Sequence, residues 1–167
     1  MIPETLYNFN VYTDGRGFAG RATQCTLPKL KIKTDDHRAG GMDAPVKIDL
    51  GMEGLEAAFQ MSTMERDVLK FFGLADATAF NGVFRGAFRD TKGATKAVAV
   101  TFRGMLSEFD GGDWKPGEKV DAKFTVSLTY YKLEIDGVVV HEIDVLGMVR
   151  IIDGVDQLAE VRKAIGM

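Results

Sequence analysis

A chain of 167 residues that is 46% hydrophobic and 27% charged has an ordinary globular balance, long enough for one domain over residues 1–167 with a substantial core. A net charge of −3 and a sequence pI of about 5.4 exclude a nucleic-acid reader with a basic face. No apolar run approaches the roughly 18 residues that span a bilayer, so no stable membrane insertion is expected, and the single Cys25 excludes an intramolecular disulfide.

The opening Met1-Ile2-Pro3 and the residues after it carry neither a basic nor an apolar signal stretch, so synthesis in the cytoplasm is expected. Nineteen glycines against four prolines suit many bends and hairpins rather than a helical bundle. Residues 6–12 can form a short strand, and Asp14-Gly15 then signals a hairpin turn. Residues 27–35 alternate, with Leu30, Ile32 and Thr34 on one side and Lys29, Lys31, Lys33 and Asp35 on the other. A second long strand, 46–60, alternates in the same way, and Gly54 is placed as a bulge at which the facing switches.

Between these strands lies the most informative stretch, His37-Arg38-Ala39-Gly40-Gly41-Met42-Asp43-Ala44-Pro45. It is long for a tight hairpin, and it holds two adjacent glycines, a proline and an apolar Met42. A long two-stranded arm with a mobile, partly apolar tip has little to pack on within its own subunit. It makes sense if another subunit receives it, so His37, Arg38, Gly40, Gly41, Met42, Asp43 and Pro45 are candidate contacts between subunits.

One helix is expected next, capped at Ser62 or Thr63 with capping-box spacing to Glu65 and ended by Gly73. Strand 80–89 places Phe80, Phe84 and Phe88 at even spacing. They suit a stacking platform for single strands, with Arg85 and Arg89 beside them, but one buried sheet face is the simpler reading. Strand 96–109 follows, then a turn region with Trp114 as an anchor. Strand 120–133 puts Val120, Ala122, Phe124, Val126, Leu128 and Tyr130 on one side, opposite a polar side. Asp136-Gly137 turns into strand 138–143, and residues 155–165 read as an amphipathic helix that covers its own sheet. The expected fold is mainly β: an antiparallel β-sandwich or barrel with one short internal helix, a long β-hairpin arm and a C-terminal amphipathic helix. Several strands carry one hydrophilic face that must meet water.

No catalytic constellation emerges. His37 and His141 stand without a second histidine at ligand spacing, Cys25 lacks a nucleophile context, and Asp35-Asp36 has no further oxygen ligands at EF-hand spacing. Gly15-Arg16-Gly17-Phe18-Ala19-Gly20 matches a dinucleotide fingerprint in letters only, since it opens no helix. No catalytic residue, metal or cofactor is expected.

The ordered run of Thr26-Leu27-Pro28-Lys29-Leu30, the arm tip, Phe71-Phe72-Gly73-Leu74-Ala75-Asp76, Trp114-Lys115-Pro116-Gly117-Glu118-Lys119, Tyr130-Tyr131-Lys132-Leu133 and Asp153-Gly154-Val155-Asp156-Gln157-Leu158 resembles the major tail tube proteins of contractile-tailed phages, the FII family. The resemblance spans nearly the whole chain. It implies a structural subunit of the inner tail tube, related to the inner tube protein of type VI secretion. Such subunits form hexameric rings that stack into a hollow conduit for DNA during ejection. The partners implied are further copies of the chain, sheath, tape-measure, baseplate and tail-terminator proteins, and DNA passing without sequence-specific binding. The location implied is the virion tail, after assembly in the host cytoplasm. A headless R-type bacteriocin, or an inner tube like that of type VI secretion, is the alternative setting.

If each of six subunits lends four strands, a barrel at about 4.8 Å strand spacing and a tilt near 40° has a lumen of roughly 35 Å. Candidate lumen-facing residues on the polar strand faces are Asp49, Glu53, Glu56, Ser107, Asp121, Lys123, Thr125, Ser127 and Thr129. A net-acidic lumen repels phosphate and lets DNA slide.

Overall fold

Two unusually long strands set the architecture. In the computed structural model, which describes residues 2–73 and 80–167, β8 (Thr95–Asp110) and β9 (Ala122–Ile135) pair along nearly their whole lengths. Before them come β1 (Thr5–Thr13), β2 (Arg16–Gly17), β3 (Ala22–Thr26), β4 (Ile32–His37), β5 (Val46–Met52), β6 (Leu55–Met61), helix α1 (Arg66–Leu69) and β7 (Phe80–Arg89). After them come β10 (Val138–Asp144), β11 (Val149–Ile152), β12 (Val155–Asp156) and helix α2 (Ala159–Ile165).

The long pair changes partners midway. The first half of β8 pairs with β7, and β1 and β2 continue that side; the second half of β9 pairs with β10, followed by β11 and β12. The first half of β9 pairs instead with β6, which pairs with β3. Two layers therefore share β8 and β9, and the core fills the space between them. Phe59 of β6 is its hub, stacked 4.8 Å from Phe124 and 5.3 Å from Phe80 and tilted against Phe84 at 5.6 Å. Phe80 and Phe84 are buried, so the even-spaced phenylalanines form a core face and not a stacking platform.

The bend rests on Gly104, where the β8–β9 register shifts. A Cβ there would lie 2.1 Å from the Ser127 carbonyl oxygen and 2.8 Å from Leu128 Cα. Only a glycine lets the two backbones approach so closely. Thr129 is the extra residue of β9 at this bulge, and its hydroxyl donates to the Arg103 carbonyl at 3.4 Å. The bulge inverts the facing beyond it. Tyr131, not Tyr130, enters the core, while Tyr130 donates a 3.0 Å hydrogen bond to Glu142.

Several boundaries differ from the sequence reading. Strand 27–35 does not form as one piece: β3 ends at Thr26, and β4 starts only at Ile32. Strand 46–60 is two strands in different sheets, separated at Glu53-Gly54. The irregular glycine is Gly51, at φ +100°, and not Gly54. The expected capping box is absent: α1 is four residues long, and Glu65 accepts instead from Thr63 at 2.8 Å and Arg21 at 2.8 Å. The C-terminal helix begins at Ala159, because Val155 and Asp156 pair with β11, and α2 buries none of its residues. Trp114 is 72% exposed and anchors only its own turn, donating to Gly111 O at 3.3 Å. Leu74, Ala75 and Asp76 of the quoted resemblance lie outside the described residues.

Candidate functional site: a polar sheet face and a free arm

The layer β3-β6-β9-β8 has a buried side and a wet side. Leu55, Ala57, Phe59 and Met61 of β6 and Ala122, Phe124, Val126 and Leu128 of β9 face the core. The intervening residues stand in cross-strand rows on the other side. Gln24, Gln60, Lys123 and Asp110 form one row; Thr26, Ala58, Thr125 and Glu108 the next; Glu56, Ser127 and Met105 a third. This face carries the carboxylates of Glu56, Glu108 and Asp110 against the single ammonium of Lys123. It is concave enough to enclose about 280 Å³ between Gln24, Gln60, Asp110 and Thr125.

Of the lumen candidates, the structure brings Glu56, Ser107, Lys123, Thr125 and Ser127 together here. Ser107 is itself a bulge residue, its hydroxyl donating to Thr125 O at 3.4 Å and accepting from Ser127 at 3.2 Å. Asp121 is exposed just before β9, and Thr129 sits at the bend. Asp49 and Glu53 are elsewhere: Asp49 is in β5, and Glu53 follows it, 3.6 Å from the Lys31 ammonium. Gln24, Thr26, Gln60, Glu108 and Asp110 complete the face without having been singled out in the sequence. A short strand with its own bulge hides β3, and the extra residue at Ser107 shifts the alternation that would have marked Glu108.

The second feature is the arm. β4 and β5 form a separate two-stranded sheet. All of β4 is exposed, and Val46, Ile48 and Leu50 remain 54%, 46% and 56% exposed. Asp35 and His37 lie across from Ile48 and Val46, and Asp36 lies across from Lys47, 3.5 Å from its ammonium. His37 belongs to the strand and not to the tip. The tip, residues 38–45, is closed by its own contacts rather than left open. Met42 N donates to Ala39 O at 3.2 Å, the Met42 sulphur accepts from Ala39 N at 3.4 Å, and Arg38 Nε donates to Met42 O at 3.4 Å. Met42 is thereby half-buried, while Arg38, Gly40, Gly41, Asp43 and Pro45 are exposed.

At the root of the arm the Asp49 carboxylate accepts from the Gly51 amide at 2.7 Å and from the Arg150 guanidinium at 2.9 Å. These two donors, the Gly51 amide first, hold the Asp49 carboxyl below its ordinary carboxylate range. Burial pushes the Cys25 thiol up to about 12, so it is a poor nucleophile. Among the described residues, no group of three or more His, Cys, Asp and Glu side chains is placed to hold a metal, and no helix is long and apolar enough to cross a membrane.

The profile of the family described as phage tail tube protein FII matches residues 3–166. The tail tube protein of Escherichia phage P2 is 35% identical over 170 residues, covering 99% of each chain. The major tail tube protein of Serratia phage KSP20 is 34% identical over 159 residues, covering 92% of this chain and 90% of its own. In fold, the chain resembles the sheath/tube terminator of PVC, an extracellular contractile injection system, with a TM-score of 0.61 at 8% identity over 80% of this chain and 98% of that one. A two-layer β fold with a free arm, a full-length family match and relatives from two phages together place the chain in the phage tail tube protein FII family, as a structural component of the virion tail.

Proposed function

We propose that six copies of the chain close into a ring, that rings stack through the β4–β5 arm into a tube inside the sheath, and that the tube conducts DNA during ejection. The observation that carries this reading is the four-stranded polar face. It stays in water on a layer whose other side is core, and β3 at its edge pairs only with β6 among the described residues. Joining such layers edge to edge removes the open edges and turns the polar faces into one wall. The excess of carboxylates on that wall repels phosphate, so DNA slides past it without the counterion-release binding that a lysine-rich groove gives. The two phage tail tube relatives support a DNA cargo. The tape-measure protein occupies the same lumen before ejection, and the baseplate and tail terminator close the ends of the tube.

The lumen assignment is tested by cysteine labelling in a Cys25→Ala background. Thr125→Cys and Ser127→Cys are each treated, as subunits and as assembled tubes, with a small maleimide and with one attached to a dextran too wide for a lumen of about 35 Å. In subunits both reagents are expected to react. In tubes the small reagent is expected to react and the wide one to be excluded, while Val126→Cys in the core stays unlabelled throughout. Equal labelling of tubes by both reagents would place this face outside; no labelling by either would place it in a subunit contact.

A further inference from the structure

The arm leaves the subunit at one point and is held in direction there by one charged contact. Arg150 of β11 is 8% exposed, and its Nε is buried with no hydrogen-bond partner. Its terminal nitrogen donates to Asp49 Oδ2 at 2.9 Å, across 101 residues of sequence. Among the described residues this is the one side-chain hydrogen bond from β4 or β5 to anything outside the arm. The other Asp49 oxygen accepts the amide of Gly51, which at φ +100° sits in the bulge of β5 where the β4–β5 register shifts. A single carboxylate thus braces the β5 bulge and ties the arm to a strand of the main sheet.

Apolar packing of the arm on the core is confined to Met52, at the very end of β5. Beside the pair lies an open groove of about 260 Å³ lined by Met52, Gly54, Ile143, Val145, Met148 and Leu158. The end of β5 and the β10–β11 turn both line that groove and leave it open, so packing on this side adds little to fixing the arm's angle. The Arg150 side of the pair is buried and the Asp49 side is 45% exposed, so the pair adds little net stability, but its geometry is directional.

We propose that Asp49 and Arg150 are a positioning pair that aims the arm for contact with the next ring. The proposal rests on the reading that the arm makes the stacking contact. A subunit whose arm is intact but unaimed searches many orientations, and few of them dock.

The test separates aim from stability. The variant Asp49→Leu with Arg150→Met removes both charges together, so no unpaired buried cation is left. Spin labels at Asp43→Cys and Lys92→Cys, in a Cys25→Ala background, report the distance from arm tip to main sheet. The expected result is a folded subunit with parental thermal stability, a distance distribution at least twice as broad as the parent's, and tube yield lowered at least tenfold. Parental tube yield overturns the proposal whatever the distances show, and so does loss of tubes with an unchanged narrow distribution. If the double variant does not fold, Asp49→Asn, which keeps the shape and an oxygen for Gly51 but not the charge, is read by the same criteria. Failure of the underlying reading looks different: a variant lacking residues 40–44 would then assemble normally, whereas failure of the positioning pair leaves that deletion unable to assemble.

Discussion

Removal of residues 40–44 is expected to abolish tube formation and leave a folded subunit. The tip lies at the far end of a two-stranded sheet, and its hydrogen bonds are to its own residues. Nothing in the core loses a neighbour when it goes, and His37 and Val46 can still be joined by the three remaining loop residues Arg38, Ala39 and Pro45. The subunit's melting temperature should therefore move by less than about 2 °C, within the range of surface changes. The arm itself leaves Val46, Ile48 and Leu50 about half exposed, each worth roughly 1 kcal/mol when buried against a partner. If the arm stacks the rings as proposed, a shortened tip prevents it from spanning to a neighbouring ring and forfeits that burial at every contact. Sedimentation and negative-stain microscopy of the deletion variant should show soluble subunits and a tube yield reduced at least tenfold. Long tubes at parental yield would mean that stacking does not use the arm.

Gly104→Val is expected to cost about 3 kcal/mol or more, at the upper end for inserting bulk into a packed site. The reason is the 2.1 Å approach that a Cβ would make to the Ser127 carbonyl oxygen, a backbone atom with no rotamer to yield. The strands must separate at the point where they bend between the two layers, and the Thr129 bulge bond to Arg103 is strained with them. Thermal unfolding of the subunit should show a melting temperature about 6–12 °C below the parent's. Gly40→Ala is the control. Nothing lies within 4 Å of a Cβ at Gly40, and the change should stay within about 0.5 kcal/mol. Equal effects at the two positions would show that Gly104 is not a close-approach site.

The period-2 alternation of residues 55–61 and 122–128 was legible in the sequence because each strand has one buried face and no bulge within those stretches. From them follow the core side of the β3-β6-β9-β8 layer and four of its polar-face residues, Glu56, Lys123, Thr125 and Ser127. The alternation failed where the chain inserts an extra residue. At Thr129 it handed the core position from Tyr130 to Tyr131, and at Ser107 it obscured Glu108. A bulge is set by close backbone approach and by hydroxyls satisfying displaced carbonyls, and neither has a periodic signature. The arm was legible for a different reason. A long polar and glycine-rich connection between two alternating strands has no place in a core, and β4–β5 does stand as its own sheet. Its root was misread: Asp49 reads as one more polar residue on an alternating strand, and its partner Arg150 lies far along the chain, where spacing carries no information.

Cryo-electron microscopy of tubes assembled from the purified protein tests the central claim most directly. The expected reconstruction has six subunits per ring, a lumen about 35 Å wide, and the side chains of Glu56, Lys123, Thr125, Ser127 and Glu108 lining it on β3-β6-β9-β8 layers joined edge to edge. Rings of another symmetry, or a wall in which that polar face points outward while another sheet lines the channel, would contradict it.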